Sequence, residues 1–106
     1  MVIPRNTTNM GRVISYHNVD IKCKVSDLLG LLEKIPNSYC DEHNTGEDKV
    51  NFDFCFEGSD GKEFFVYDWK EYRQLAIHSI IDFHIGAESK AHSLEAKEFL
   101  IKKLYG

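Results

Sequence analysis

The chain has 106 residues and a mass of 12.3 kDa, a length that fits one domain. Hydrophobic residues make up 42% of it and aromatic residues 12%, which is enough to bury a core and excludes a chain that is disordered throughout. No apolar run approaches the roughly 20 residues that a membrane helix needs, and Met1–Asp20 lacks the apolar core of a signal peptide. Together with three cysteines in no paired spacing, these features predict a cytoplasmic protein with no disulfide framework and no membrane partner.

The negative charge is concentrated in the middle of the chain. The formal net charge is −4 and the pI is near 5.7, which disfavours direct binding to nucleic acid. Residues 41–68 contain nine Asp and Glu residues against two lysines, so this segment carries −7 and the rest of the chain +3. The simplest interpretation is a solvated hairpin and loop, and the alternative is an acidic face that meets a basic partner.

The first half of the chain predicts one strand and one helix. Apolar residues such as Val19 and Ile21 alternate with polar ones, as in a strand. Ser26 stands where a helix N-cap belongs, leucines follow at helical spacing, and Pro36 forbids continuation. The predicted elements are a loose polar arm over 1–11, a strand over 12–24, a helix over 27–35 and a loop over 37–48.

The second half predicts three strands and a final helix. Phe52, Phe54 and Phe56 alternate with polar residues, and Gly86 is expected to break the last strand. The predicted elements are strands over 50–57, 63–69 and 77–85, a turn over 58–61, a loop over 70–74 and a helix over 89–105. The order βαβββα indicates a single α+β domain over 1–106, with a four-stranded, mainly antiparallel sheet and two helices on one face.

Two helices cover one face of such a sheet and leave the other face open. The residues expected on the open face are Asn51, Asp53, Cys55, Glu57, His78, Ile80, Asp82 and His84. The return strand, 63–69, is apolar on both sides, so one of its two sets of side chains also faces outward. A partly apolar open face predicts an interface, and a homo-oligomer, in its simplest form a dimer, covers it.

Two metal-ligating patterns occur in the sequence. His78, Asp82 and His84 fall on one side of the last predicted strand, and Cys40 and His43 could add ligands from a loop. Residues on one side of a strand repeat every ~7 Å, which makes one ion between His78 and His84 difficult. The expectation is therefore no metal and no cofactor, with a small metal-dependent hydrolase kept as a second alternative.

Nucleophilic catalysis has little support in the sequence. The candidate thiols are Cys55 and Cys40, and the acids that follow Cys40 disfavour its thiolate. The sequence contains no nucleophile elbow, no Walker-type glycine loop and no dinucleotide fingerprint. We therefore predict that the protein is not an enzyme.

Two predicted loops combine aromatic rings, cations and a helix N-terminus. Trp69–Arg73 offers rings for stacking and cations for phosphate, and Gly86–Lys90 precedes the last helix. If these loops are neighbours, they form a site for a nucleotide or phosphorylated ligand. The candidate ligand residues are Trp69, Lys70, Tyr72, Arg73, His84, Ser89 and Lys90. The alternative is that the rings are packing residues and the cations are solvated.

The sequence Tyr67-Asp68-Trp69-Lys70, followed by His84-Ile85-Gly86 and a terminal helix, resembles small, mostly uncharacterised proteins of tailed bacteriophages. The resemblance covers 50–106 and brings no shared activity with it. It implies a compact protein in the cytoplasm of the infected cell that binds or blocks a host component.

The preferred hypothesis is a non-catalytic viral inhibitor that antagonises a host defence factor by protein–protein contact. The contact surface is expected to be the open face and the acidic hairpin, meaning the two strands over 50–57 and 63–69 with their turn. Its proposed partner-binding residues are Asp53, Glu57, Asp60 and Glu63. The alternative hypothesis is a protein that sequesters a nucleotide second messenger at the two loops.

Overall fold

The described residues form five strands, most of them with alternating apolar residues, and two helices with leucine-containing stripes. The computed structural model describes residues 15–42, 46, 49–71 and 73–106. The predicted arm over 1–11, together with His43 and Tyr72, therefore lies outside the described residues. In chain order the elements are β1 (Ser15–Lys24), α1 (Val25–Leu31), β2 (Tyr39–Glu42), β3 (Phe52–Glu57), β4 (Glu63–Tyr67), β5 (Ile80–Ala87) and α2 (Lys90–Tyr105).

All five strands form one antiparallel sheet in the order β1-β5-β4-β3-β2. The first strand of the chain thus pairs with the last, which joins the two halves of the sequence in one domain. The predicted α+β class, the antiparallel sheet and the two helices are confirmed. Among the described helices, none has the length and apolar character needed to cross a membrane.

The strand β2 corrects the prediction of four strands, because its residues were expected in a loop. Its sequence, Tyr39-Cys40-Asp41-Glu42, has no apolar alternation, but its backbone pairs with Phe52–Cys55 of β3. Main-chain pairing at a sheet edge does not need an apolar face, and charged side chains on an edge strand discourage pairing with other chains. The exposed acids of β2 fit that role.

The main core lies between one face of the sheet and the two helices. Phe52, Phe54 and Phe56 are stacked along β3, with ring centroids 6.2 and 5.8 Å apart. The same core contains Phe64 and Val66 of β4, the odd-numbered residues of β5 from Ile81, and Leu28, Leu31, Ala96 and Leu100 of the helices. The structure therefore assigns Phe64 and Val66 to the helix side and Phe65, Tyr67 and Trp69 to the other side.

The helix α1 begins and ends earlier than predicted. Its N-cap is Lys24, whose N–H donates to the Asp27 carboxylate at 3.0 Å, whereas the N–H of Ser26 donates to the carbonyl of Ile77 at 2.8 Å. Asp27, the third residue of the helix, therefore caps it by accepting from the N-cap N–H. After Leu31 the chain tightens into turns, although Ile35 remains buried in the core.

The last strand is shifted relative to the prediction. Residues 77–79 form a turn, closed by the N–H of Ser79 on the carbonyl of Ala76 at 3.0 Å, so His78 is not on a strand. Gly86 does not break β5, because it is paired with Phe65 on one side and Tyr16 on the other. The helix α2 begins one residue later than predicted, because Ser89 is its N-cap and its hydroxyl accepts from the N–H of His92 at 3.1 Å.

A buried carboxylate fixes the start of β3. Asp68 has no exposed surface and accepts hydrogen bonds of 2.8–3.1 Å from the backbone N–H groups of Asn51 and Phe52 and from the amide of Asn51. Asn51 in turn donates to the carbonyl of Arg73 and accepts from the N–H of Gly46. Burial raises the pKa of Asp68 against the opposing effect of these donors.

We expect Asp68→Asn to lower the free energy of unfolding by about 2–4 kcal/mol. The NH2 group of asparagine cannot accept hydrogen bonds, so it would leave N–H donors unpaired in a fully buried site. Urea denaturation followed by tryptophan fluorescence measures this loss. The matched control is Glu33→Gln, which neutralises an exposed acid and should change stability by less than about 0.5 kcal/mol. Equal stability of the two variants would contradict the structural role of Asp68.

Candidate functional site

The face of the sheet away from the helices carries one row of polar side chains across all five strands. The backbone register places Asp20 opposite His84, His84 opposite Tyr67, Tyr67 opposite Asp53 and Asp53 opposite Asp41. This polar row was not predicted, because it depends on which residues become neighbours across strands that are far apart in sequence. Alternation indicated the outward side of β1, β3 and β5 but not the neighbours across the strands, and β2 and β4 gave no such signal.

A bulge in β1 adds an aromatic ring to the row. Between Tyr16 and Asp20 the pairing with β5 shifts, and Asn18 adopts a left-handed backbone conformation with φ of 64°. The Tyr16 ring consequently stacks on His84 with centroids 3.9 Å apart, and its hydroxyl donates to the Asp20 carboxylate at 2.6 Å. His84 Nε2 lies 3.9 Å from the same carboxylate.

Tyr67 and Trp69 complete an aromatic cluster around His84. The centroids of their rings lie 5.6 and 6.4 Å from that of His84. The ammonium groups of Lys49 and Lys70 lie 5.9 and 5.7 Å from the centroid of the Trp69 ring, within the range of a cation–π interaction. The N–H of Lys70, a residue with φ of 57°, donates to the carbonyl of Lys49 at 2.7 Å and holds the two lysines together.

The two tyrosines of this cluster are held in their protonated form. Burial, the hydrogen bond to Asp20 and the charges of Asp20 and Asp82 raise the pKa of Tyr16 to about 12. Burial, followed by the charges of Asp53, Tyr16 and Asp20, also raises the pKa of Tyr67 to about 12. Neither phenol is therefore a base near neutral pH.

The two loops predicted to form one ligand site lie at opposite ends of the sheet. Tyr67, the last residue of β4, pairs with His84 and Phe65 with Gly86, so the chain leaves β4 in the direction of the start of β5. Trp69 continues beyond Tyr67 towards the start of β5, whereas Ser89 follows the other end of that strand. Ser89 is five residues beyond His84, which corresponds to roughly 17 Å along a strand. Ser89 and Lys90 are therefore not part of the cluster that contains Trp69, Lys70 and His84.

Arg73, a further residue of the predicted ligand set, is paired outside that cluster. The guanidinium of Arg73 is exposed and pairs with Glu71 at 3.2 Å, and Tyr72 lies outside the described residues. Lys49, which sequence reasoning missed, is the second cation beside Trp69. Its position in a loop between acidic residues gave no signal of this contact.

The candidate metal and nucleophile residues do not assemble. Among the described residues, no three His, Cys, Asp or Glu side chains are grouped so that they could hold a metal ion. His78 lies in a turn, apart from Asp82 and His84 on β5. Cys55, expected on an open face, is fully buried beside Phe65, which contradicts its proposed role as an accessible nucleophile.

The face opposite the helices is less open than predicted. Asn51, Asp53 and Cys55 are at most 8% exposed, whereas Ile80 and Asp82 are exposed as expected. The apolar side chains of β4 on this face, Phe65 and Tyr67, are also buried. The apolar side chains of the return strand that motivated the dimer prediction are therefore buried, and the dimer remains a prediction without that support.

The turn of the acidic hairpin presents the carboxylates that remain accessible. Glu57 and Glu63 occupy directly opposite positions on β3 and β4, and Asp60 is exposed on the turn between them. Glycine at position 61 accommodates the turn, with φ of 81°. Asp53 is 8% exposed, so burial removes it from the predicted contact set.

No described lysine or arginine neutralises these three carboxylates. Asn37 donates to Glu57 at 3.2 Å, and the backbone N–H of Lys62 donates to Asp60 at 2.9 Å. The Lys62 ammonium is directed instead towards Glu88, at 3.9 Å. Like charges directly opposite each other on paired strands destabilise a hairpin, so a cation from another molecule would be favourable here.

Comparisons with protein-family models, with curated proteins and with solved structures give no match for this chain. The function is therefore argued from the geometry of the acidic hairpin and of the aromatic cluster.

Thiol labelling tests the burial of the cysteines. Burial and the charge of Asp27 raise the pKa of Cys23 to about 12, and Cys55 has no exposed surface, whereas Cys40 is partly exposed. We expect an aromatic disulfide reagent at pH 8 to modify Cys40 alone in the native protein and all three thiols in urea. Cys40→Ser should abolish native labelling; rapid labelling of that variant would contradict the structure.

Alkaline titration tests the aromatic cluster. Because the folded-state pKa values of Tyr16 and Tyr67 exceed the ordinary value near 10, their contribution to stability is complete below pH 10 and is lost between about pH 10 and 12. Tyrosinate absorbance should show that Tyr16 and Tyr67 ionise late, and the free energy of unfolding should fall over that interval. Tyr67→Phe should remove one late group; simultaneous ionisation of all tyrosines near pH 10 would disprove the arrangement.

Proposed function

We propose that the protein is a non-catalytic binding protein that antagonises a host factor by direct contact through the turn of its acidic hairpin. The supporting observation is that Glu57 and Glu63 are directly opposed, with Asp60 beside them and no described cation in contact. A basic surface on a partner would relieve this repulsion and steer association. The phage resemblance supports a host protein as that partner and the host cytoplasm as the place of action.

Charge reversal tests the proposal. The chain is used as bait in a bacterial lysate, the captured protein is purified, and its affinity is measured by titration. The variant Glu57→Lys/Asp60→Lys/Glu63→Lys should bind about ten- to a hundred-fold more weakly, because three attractive contacts become repulsive. Raising the salt concentration should also weaken the wild-type complex, because ions screen the attraction between the opposite charges.

The matched control is Glu33→Lys/Glu42→Lys/Asp82→Lys, which changes the net charge equally at exposed positions away from the hairpin turn. It should retain most of the affinity. Unchanged binding by the hairpin variant would refute the proposal. An equal loss of affinity in the control would show that binding depends on the net charge of the protein and not on the hairpin turn, which would also contradict the proposal.

A second candidate function is sequestration of a nucleotide second messenger by the aromatic cluster. The observation that favours it is the pair of ammonium groups beside Trp69, since an indole can stack on a base while lysines contact phosphate. Calorimetry with cyclic and linear nucleotides tests this function. Binding that Trp69→Leu abolishes and Lys90→Gln preserves would support it, and no binding of any nucleotide would exclude it.

A further inference from the structure

A groove of about 350 Å³ lies between the turn of the acidic hairpin and α2. Its lining comprises Gly58–Asp60 on one side, Glu95 and Phe99 on the other, and Phe64, His92 and Ala96. The last three are at most 6% exposed and form its floor. The groove therefore has an apolar base and one carboxylate on each wall.

His92 lines that floor and carries a buried polar atom that the protein does not satisfy. The side chain is 6% exposed, and its Nδ1 is buried with no hydrogen-bond partner among the described residues. Buried polar atoms in folded proteins nearly always have a partner, so an exception points to a group supplied from outside. With the proton on Nε2, Nδ1 is a hydrogen-bond acceptor.

The walls of the groove favour a cation. No ion pair joins Asp60 or Glu95 to a lysine or arginine within the described part of the chain. Phe99 already accepts an ammonium, since Lys103 Nζ lies 5.5 Å from its ring centroid. Carboxylates, an aromatic ring and an acceptor nitrogen together match the donors and charge of a guanidinium or ammonium group.

The neighbouring hollow along α2 has the opposite charge at its far end. It shares Ser59, Glu95 and Phe99 with the groove and is bounded by Lys102 and Lys103. A partner segment with several consecutive basic residues, lying along α2, would be repelled by these two lysines. The geometry therefore suits one cationic side chain rather than a polybasic tract.

We propose that this groove binds the guanidinium or ammonium group of one arginine or lysine side chain of a protein partner, with His92 as acceptor and Asp60 and Glu95 as counter-ions. The inference rests on the proposed function for the source of the side chain. It adds a defined anchor next to the exposed carboxylates of the hairpin turn.

The test uses the full chain and the peptide acetyl-Gly-Arg-Gly-amide, followed by ¹H–¹⁵N NMR spectra. The control peptide replaces arginine by citrulline, which has nearly the same shape and no charge. We expect saturable shifts confined to the groove residues with the arginine peptide, including the ring nitrogens of His92. Equal shifts with citrulline, or no saturable shift with arginine, would overturn the proposal.

Two variants assign the contacts. Glu95→Gln should weaken binding about two- to five-fold, the range for one exposed charge pair, whereas Glu33→Gln should have no effect. His92→Phe replaces an unsatisfied buried ring with an apolar one, so it should keep or raise the melting temperature while weakening peptide binding. Wild-type affinity in a folded His92→Phe protein would overturn the role of Nδ1.

Two further measurements, spermidine binding and capture of a host protein, distinguish failure of the groove inference from failure of the proposed function. If spermidine binds more tightly than the arginine peptide, the occupant is a free polyamine and the side-chain proposal fails. If a captured host protein binds the Glu95→Gln and His92→Phe variants as tightly as wild type, the groove inference fails and the antagonist function stands. If the arginine peptide binds but no host protein is captured, the antagonist function fails and the cation site stands.

Discussion

The buried carboxylate of Asp68 is the constraint on which the hairpin side of the molecule depends. It accepts hydrogen bonds from the first residues of β3, and Asn51 extends the network to the loops on both sides. This network aligns β3 with β4, which places Glu57 opposite Glu63. It also brings the segment before β3 next to the segment after β4, where Lys49 and Lys70 meet beside Trp69.

The two candidate binding regions are separated by the direction of the strands. The hairpin turn lies where β3 ends and β4 begins, whereas Trp69 lies beyond the other end of β4. One region is acidic and the other has two ammonium groups beside an indole ring. A basic protein surface and a phosphorylated ligand would therefore engage different ends of the sheet, and mutations at one end should leave the other unaffected.

The sheet face opposite the helices shows how a register creates a site. Each member of the polar row belongs to a different strand, and the row exists because antiparallel pairing aligns positions that are up to 64 residues apart, Asp20 and His84 among them. The bulge around Asn18 then turns Tyr16 onto His84. Burial in this sheet, together with the carboxylates that the register brings close, raises the pKa values of both tyrosines.

The sequence by itself determined the α+β class, most of the strands and the final helix, because alternation and helical spacing act locally. It also placed Glu57, Asp60 and Glu63 on one acidic hairpin. Only the tertiary structure decided that Asp53 and Cys55 are buried, that Ser89 lies far from Trp69, and that the edge strand β2 exists. These outcomes depend on which strands become neighbours and on the depth at which each side chain lies, and neither quantity is encoded in a local pattern.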